Sequence, residues 1–363
     1  MKRHHVVILM VFVAAASSAA TLGIQKAMQV WGGEKIVVVT DSRCKECDTS
    51  RLMTSLQADF KDANIKTVDY SSPKGKQLYE KEGLKMLPAV LFSKKIAVKD
   101  TFKRYEKMAK PSKNYVALSA GGFDPKAEIC DNGQDDNGDA LIDCADATCK
   151  KDWRCMEKSE KPDVDVFVMS HCPYGLQIEK GLLPVWDLFG DKINLNIRYV
   201  GYAMHGKKEV DEQLKQYCVN EQGKQKFRDY LGCFVKNGEE GEKCDRVAKI
   251  DSPALASCIK KSDGQFGVTK AFEDKTRWQG QFPPFPIDDE LAKKYNVSGS
   301  PTLVINGATA KTERNPKALR DAICMAFIEK PKECDAQIDG TNPTPGFGEG
   351  KAPAGGGQAK CDS

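Results

Sequence analysis

The fold of this chain is decided by the stretch Lys35-Ile-Val-Val-Val-Thr-Asp-Ser-Arg-Cys-Lys-Glu-Cys-Asp-Thr-Ser-Arg-Leu52. Its β-branched run predicts a buried strand, and the residues from Ser50 onward have the apolar spacing of a helix. Cys44 and Cys47 lie between them, at the predicted start of the helix. The unpaired N–H groups and the positive dipole end of a helix favour a thiolate there. Because the two-residue spacing allows a disulfide, the stretch predicts redox chemistry.

The elements that follow extend this pattern. A second strand is predicted at Ile65-Lys-Thr-Val-Asp-Tyr, Pro73 opens a helix that Gly83 ends, and a third strand starts at Leu87-Pro88. This order resembles the thioredoxin/glutaredoxin superfamily over roughly residues 34–118. The resemblance implies that Pro88 is cis, lies beside the cysteine pair and shapes the substrate-binding edge.

Two other interpretations of the cysteine pair are a structural disulfide and half of a metal site. A zinc site needs a second Cys/His pair nearby, and the sequence has none between Arg51 and Gly121. The position after a strand, together with the downstream proline, favours redox chemistry. The dipeptide Lys45-Glu46 differs from those common in the superfamily, so the motif does not give a reduction potential.

Composition and the N-terminus indicate export. The chain has 363 residues, enough for two domains, and a net charge of only +4 with scattered lysines, which does not indicate nucleic-acid binding. Fourteen cysteines indicate an oxidising compartment. Residues 1–20 combine a basic start, an apolar core and small residues, which predicts a signal peptide or, if uncleaved, a membrane anchor. We expect the bacterial periplasm or cell surface.

Residues 119–161 form a segment rich in Asp, Asn, Gly and Cys, whose four cysteines predict two disulfides. Oxygen ligands at alternate positions resemble an EF-hand-type loop and predict a structural calcium ion. The ligands would be Asp135, Asn137, Asp139, Leu141 through its carbonyl, Asp143 and Asp146. Ala140 stands where such loops carry glycine, and Asp146 replaces the usual glutamate. The alternative is a solvated acidic linker.

A second strand–cysteine–helix pattern begins near Asp163, and residues 162–334 resemble DsbA-like proteins. A strand leads to Cys172-Pro-Tyr-Gly175, and a matching proline, Pro301, precedes a later strand. Asn306-Gly307 predicts a hairpin turn. The resemblance implies a thioredoxin fold with a helical insertion at about 205–275, stapled by disulfides whose pairing the sequence leaves open.

Part of this insertion also resembles the gamma-interferon-inducible lysosomal thiol reductase family. His205, Gly206, Glu209 and Cys218 match that family's signature in register, whereas Ala203 and Val210 replace two of its cysteines. The joint absence of both cysteines is what the loss of one disulfide would give.

Gly175 occupies the place where a dithiol enzyme carries its second cysteine. A monothiol forms a mixed disulfide but cannot resolve it locally. Cys172 with Pro301 is therefore a monothiol exchanger resolved by another thiol, a peptide-binding cleft or an inactive site. His171 would favour the Cys172 thiolate if protonated, or is simply solvated.

Further cysteines lie near the C-terminus. Cys324 and Cys334 flank the end of the last helix and are candidates for a pair. Residues 335–363 are Gly/Pro-rich and are predicted to be disordered. Cys361 lies in this segment of the sequence. It is either a spare thiol or the partner of an odd cysteine, such as Cys172.

Together these patterns predict an α/β protein with two thioredoxin-like domains, each a central mixed sheet flanked by helices. The expected function is that of an exported thiol–disulfide oxidoreductase, with dithiol exchange at Cys44 and Cys47, Pro88 at the substrate edge, and a second centre at Cys172. Its partners would be protein thiol or disulfide substrates and a redox partner protein, with no cofactor for the redox chemistry. The alternative is a non-catalytic, calcium-stabilised surface or peptide-binding protein. A zinc protein is a third hypothesis.

Overall fold

A computed structural model describes residues 34–350 except residues 46, 239 and 240. The chain divides into two compact units, Met1–Ala127 and Glu128–Ser363. Among the described residues, no helix combines the length and the apolar character that crossing a membrane requires. The predicted signal segment, residues 1–20, lies outside the described residues.

The first unit is built on a five-stranded mixed sheet with the order β2-β1-β3-β5-β4. The central strand β1 pairs with β2 in parallel and with β3 in antiparallel register. The strands are β1 Lys35–Thr40, β2 Asn64–Asp69, β3 Leu87–Ser93, β4 Lys110–Pro111 and β5 Tyr115–Phe123.

Helices cover both faces of this sheet. Alternate residues of β1 point to opposite faces, so Ile36 and Val38 pack with Leu56 on one side, while Val37 and Val39 lie in the cluster of Tyr79 on the other. The helices are α1 Ser50–Asp59, α2 Pro73–Glu82, α3 Lys94–Ala97 and α4 Lys103–Glu106.

The second unit repeats this plan around a four-stranded sheet with the order β7-β6-β8-β9. Strand β6 pairs with β7 in parallel and with β8 in antiparallel register. Asn306 and Gly307 both have positive φ, 45° and 83°, and make the predicted two-residue hairpin between β8 and β9. The strands are β6 Asp163–Val168, β7 Asn194–Tyr199, β8 Thr302–Ile305 and β9 Ala308–Ala310.

Most helices of the second unit lie between β7 and β8, where the sequence predicts the insertion. Two disulfides, Cys218–Cys258 and Cys233–Cys244, staple these helices together. The helices are α5 Pro173–Phe189, α6 Lys207–Asn220, α7 Lys224–Asn237, α8 Gly241–Val247, α9 Ser252–Phe266, α10 Val268–Glu273, α11 Asp289–Lys294 and α12 Pro316–Cys324. The prediction of an α/β fold with two mixed sheets flanked by helices is confirmed.

The acidic segment follows the first sheet and precedes the second in the sequence. Disulfides hold it together more than a core of its own does. Cys130 pairs with Cys149 and Cys144 with Cys155, as the sequence predicts. Trp153 packs against the main core of the second unit.

The C-terminal tail corrects one expectation from composition. Disorder was predicted from residue 335, yet residues 336–350 have a defined path against the second unit. The physical reason is that backbone carbonyls of Thr344, Gly346 and Gly348 all accept hydrogen bonds from Lys180 of α5. Cys324 pairs with Cys334 just before this segment.

A buried polar cluster lies among the helices of the second unit. Burial raises the pKa of Glu212 to about 7, although hydrogen bonds from Gln216 and Tyr230 act in the opposite direction. Glu179 of α5 is fully buried, and its carboxylate oxygens have no hydrogen-bond partner among the described residues. The pKa of Glu179 is raised well above its ordinary value. Burial is the larger cause, and the nearby charge of Glu212 is the smaller one.

These carboxyl groups make stability depend on pH. Because the native pKa of Glu212 exceeds its ordinary value of 4.5, the native state binds more protons than the unfolded state between about pH 4.5 and 7. The Glu212 contribution to stability is complete below this window and is lost as the pH rises through about 7. Across this window the unfolding free energy of the wild type should therefore fall by an amount on the order of 3 kcal/mol. We expect this fall to be absent in Glu212→Gln.

Urea denaturation at several pH values measures this decline. The matched control is Glu221→Gln, which changes an exposed glutamate just beyond the end of the same helix and should leave the wild-type pH dependence in place. Identical pH slopes for wild type and Glu212→Gln would contradict the assignment.

Candidate functional site

Cys44 and Cys47 form a disulfide in the turn that follows β1, with their Cα atoms 5.4 Å apart. The turn is tight because the N–H of Cys44 donates to the carbonyl of Asp41 and the N–H of Cys47 donates to the carbonyl of Cys44. Both cysteines are half-buried, so a protein thiol can approach them from the surface. The Cys-x-x-Cys spacing therefore closes the disulfide that the sequence predicts.

The helix begins where its apolar spacing predicts, but the cysteine pair does not lie at its start as expected. Helix α1 begins at Ser50, three residues after Cys47, so the cysteine pair does not lie in its first turn. The carboxylate of Asp48 accepts the N–H of Ser50, and this local turn separates the cysteines from the helix. Since the dipole effect fades within the first turn, the helix gives Cys44 little of the expected stabilisation.

A half-buried ion pair fixes the base of this turn. Asp41 is buried, and the guanidinium of Arg43 binds both of its carboxylate oxygens, at 3.1 and 2.8 Å. The same guanidinium donates to the carbonyl of Pro125 at 2.8 Å. The ion pair thus holds the chain just before Cys44 in one conformation.

Pro88 lies beside the cysteines, as the family resemblance implies. The Leu87–Pro88 peptide is cis, and the carbonyl oxygen of Leu87 is 3.9 Å from Sγ of Cys47. The topology brings them together because β1 and β3 are antiparallel, so the end of β1 meets the start of β3.

Gly121 is a site residue that sequence reasoning missed. A Cβ at this position of β5 would lie 2.3 Å from Cδ of Pro88 and 2.4 Å from the carbonyl oxygen of Leu87. Only glycine allows the backbone to come this close to the cis-proline. The adjacent glycines Gly121 and Gly122 were the available signal, because glycine in a strand often marks a close approach of another backbone.

Cys172 occupies the corresponding position in the second unit, four residues after the end of β6. It caps α5: its sulfur accepts the N–H of Gly175 at 3.5 Å. The Ser300–Pro301 peptide is cis, and the carbonyl of Ser300 lies 3.5 Å from the Cys172 sulfur. Cys172 is fully buried and disulfide-bonded.

Close packing leaves no room for a side chain at residue 175. A Cβ at residue 175 would lie 2.8 Å from Oγ of Ser300 and 2.9 Å from the carbonyl oxygen of Met169. The Ser300 hydroxyl is itself held by the N–H of Met169 at 2.9 Å. The space that a second cysteine would need is therefore filled by Ser300 and the strand backbone.

The residues that resemble the lysosomal thiol reductase signature converge on the Cys172 turn. Glu209 is buried and accepts the backbone N–H of His171 at 3.0 Å, the N–H of Met204 at 2.7 Å and Nδ1 of His205 at 2.8 Å. Burial alone would raise the pKa of Glu209, but the hydrogen bonds and charge of His205 outweigh it, and the pKa lies below its ordinary value. Glu209 thus ties the loop before α6 to the cysteine turn.

Hydrogen bonds within the acidic segment hold the predicted calcium residues. Asp135 accepts backbone N–H groups of Gly138 and Ala140, at 2.7 and 2.9 Å, and Asn137 donates to Asp146 at 2.5 Å. The other predicted ligands are Asp139, Leu141 and Asp143. The carboxylate of Asp139 accepts the N–H of Leu141. The carboxylate of Asp143 accepts the N–H groups of Asn132 and Gly133.

In the described part of the chain, no three His, Cys, Asp or Glu side chains gather as they would around a metal ion. As arranged, these oxygens shape the loop by accepting hydrogen bonds from its own N–H groups. The calcium site stays a prediction from the sequence.

Solved structures similar to this chain include bacterial disulfide oxidoreductases. Reduced DsbA from Mycobacterium tuberculosis is 18% identical, with 50% of this chain and 94% of that chain covered and a TM-score of 0.34. The reduced disulfide bond oxidoreductase DsbG of the same organism is 18% identical (50% and 89% covered, TM-score 0.33). Oxidised BdbD from Bacillus subtilis is also 18% identical (50% and 92% covered, TM-score 0.33).

No protein-family model and no curated protein matches the sequence. The function proposed for this chain therefore rests on its own geometry.

The close packing at Gly175 generates a stability prediction. We expect Gly175→Ala, and Gly175→Cys more strongly, to lower the unfolding free energy by about 1–3 kcal/mol, because the added atoms overlap Ser300 and Met169. The matched control is Gly264→Ala, since Gly264 lies within α9 with open space around its Cβ position. That control should be neutral or stabilising by up to about 1 kcal/mol. Denaturant titration of the full chain compares them, and a Gly175→Ala variant as stable as wild type would refute the packing argument.

Proposed function

We propose that this chain is an exported thiol–disulfide oxidoreductase that turns over at Cys44 and Cys47. The observation that carries the proposal is the half-buried Cys44–Cys47 disulfide with Sγ of Cys47 3.9 Å from the carbonyl that precedes cis-Pro88. A disulfide that only cross-linked the fold would not need exposure at the edge of the sheet.

The exchange takes two steps. A thiolate of a reduced protein substrate attacks Sγ of Cys44, the Cys44–Cys47 bond breaks, and Cys47 leaves as a thiolate. The second substrate thiolate then attacks the substrate sulfur of this mixed disulfide, which forms the substrate disulfide and releases Cys44. Two electrons pass from substrate to chain, and the two cysteine thiolates take up the protons. The reverse sequence reduces a substrate disulfide.

The edge beside the cysteines fits an extended protein segment. The cis peptide leaves Pro88 at the start of β3 beside the disulfide, and the side chain of Met86, two residues earlier, is 39% exposed. An apolar side chain next to a redox-active disulfide offers a contact to unfolded or extended substrates. We propose proteins with free thiols or disulfides as the substrates and a second redox protein as the electron partner.

Export is proposed on two grounds. The sequence of residues 1–20 has the pattern of a signal peptide, and six disulfides join cysteines of the described residues to one another. Such a number of cross-links is typical of proteins outside the reducing cytosol. Attachment to a membrane would follow only if the N-terminal segment stays uncleaved.

A matched pair of cysteine variants tests the roles at the first site. In an insulin-reduction assay we expect Cys44→Ser to fall at least tenfold, because the attacking sulfur is lost. The Cys47→Ser variant should instead accumulate mixed disulfides with substrate, visible on non-reducing gels, since the sulfur that releases the substrate is missing. Gln57→Ala, which changes an exposed residue of α1, serves as the control and should keep most of the activity.

Equal activity of wild type and Cys44→Ser would rule out this site. That outcome would favour the alternative of a non-catalytic binding module.

A further inference from the structure

One end of the first unit carries a concentration of positive charge. Lysines are scattered over the chain as a whole, but residues 94–113 hold eight Lys or Arg side chains and two carboxylates, a net charge of +6 (8 − 2). This segment joins β3 to β5 and contains α3, α4 and β4. Ser93, at the end of β3, accepts the N–H of Lys35, at the start of β1. The segment therefore lies at the end of the sheet opposite the cysteine turn.

The protein neutralises only part of this charge. Three of the eight cations form ion pairs, namely Lys99 with Glu34, Lys103 with Asp100 and Arg104 with Asp59. The other five are exposed and make no ion pair with any residue of the described chain; they are Lys94, Lys95, Lys107, Lys110 and Lys113. When the two partners outside the segment are included, four carboxylates face eight cations, and a net charge of +4 (8 − 4) remains.

The same segment presents two apolar side chains to solvent. Val98 is 85% exposed and Met108 is 60% exposed, and both stand among the lysines. The side chains of Ile96, Phe102 and Tyr105 point inward and belong to the buried core of the first unit. These three anchors hold the short helices in place, so the surface between them combines positive charge with apolar side chains on a fixed frame.

We propose that the exposed side chains of residues 94–113, here called the basic surface, dock on a bilayer of anionic phospholipid. The lysines lie against the headgroups, and Val98 and Met108 enter the boundary between headgroups and acyl chains. Each lysine near such a bilayer strengthens binding on the order of fivefold. Residues 1–20 would attach the chain by insertion only if they stay uncleaved, whereas docking of the basic surface is peripheral and needs no inserted segment.

The composition of the basic surface favours lipid over nucleic acid. Proteins that bind single strands stack bases on aromatic side chains, but Phe102 and Tyr105 are buried here. Seven of the eight cations are lysines, which act as point charges and lack the planar fork with which arginine recognises a base or a single phosphate. Exposed apolar side chains gain contacts in a bilayer and gain none along a phosphate backbone.

The path of the chain agrees with a bilayer at this end. Glu34, the first described residue, pairs with Lys99 of the basic surface, so the chain enters the first unit here. The apolar sequence Val6–Ala16 precedes this point of entry. An uncleaved N-terminal segment would therefore bring the same surface to the membrane.

Docking in this way would orient the first unit. The six residues of β1 rise about 3.3 Å each, so roughly 20 Å separates the basic surface from the turn of Cys44 and Cys47. The disulfide is then held away from the bilayer, on the side from which protein substrates arrive. This consequence rests on the proposed function, whereas the docking itself does not.

Co-sedimentation of the full chain with vesicles tests the docking. Vesicles of equal parts phosphatidylglycerol and phosphatidylcholine are the probe, and vesicles of phosphatidylcholine alone are the neutral reference. We expect binding to the anionic vesicles only, with release at about 1 M salt, where the screening length falls to about 3 Å. Absence of binding to the anionic vesicles, or equal binding to both kinds, would overturn the proposal. Inactivity at Cys44 would leave these results unaffected.

Two double variants locate the binding surface. We expect Lys95→Gln with Lys107→Gln to weaken binding to the anionic vesicles on the order of twentyfold, because two of the five unpaired charges are lost. The matched control is Lys260→Gln with Lys261→Gln, which removes two exposed lysines of α9 and should bind like the wild type. An equal loss in both double variants, or no loss in the first, would contradict the assignment. All variants keep residues 1–33, so insertion of that segment would contribute equally to each.

Val98 distinguishes a bilayer from other polyanions. We expect Val98→Ser to weaken binding to the anionic vesicles several-fold, because an apolar contact with lipid is lost. Val247→Ser, which changes an exposed valine of α8, is the matched control and should bind like the wild type. A DNA duplex at equal phosphate concentration is the competing ligand. Tighter binding to the duplex than to the vesicles, or wild-type binding of Val98→Ser to the vesicles, would overturn the assignment to lipid.

Discussion

Both units depend on one contact, in which the carbonyl that precedes a cis-proline approaches a cysteine sulfur. The distances are 3.9 Å between Leu87 and Cys47 and 3.5 Å between Ser300 and Cys172. The contact follows from topology, since in each sheet the strand before the cysteine runs antiparallel to the strand that follows the proline. The turn after one strand and the proline before the other therefore meet at the same edge.

Close packing around this contact decides what chemistry each unit can perform. In the first unit Gly121 lets β5 approach Pro88, and the turn keeps both cysteines. In the second unit a Cβ at residue 175 would overlap the Ser300 side chain, and this residue is glycine. One architecture thus yields a local pair of cysteines in the first unit and a single cysteine in the turn of the second.

The sequence predicted what local patterns determine and missed what distant contacts determine. The strand before Cys44, Pro88 at the start of β3 and the Asn306-Gly307 hairpin follow from composition and spacing, and the structure contains all three. The cysteine pair was expected at the start of α1, but the Asp48 side chain binds the N–H of Ser50, and a local turn separates the pair from the helix. The path of the tail was missed because Phe347 binds to surfaces formed by His171 and Phe234, which are far away in sequence.

The central claim is that Cys44–Cys47 is a redox couple and not a structural cross-link, and its reduction potential tests this most directly. The full chain is equilibrated with thiol–disulfide buffers of graded potential, and each cysteine is quantified by alkylation and mass spectrometry, with Cys130–Cys149 as an internal structural reference. The account predicts a two-electron transition of Cys44 and Cys47 at a potential above about −300 mV, while the reference pair stays oxidised. Reduction of both pairs together, only below that potential, would contradict it.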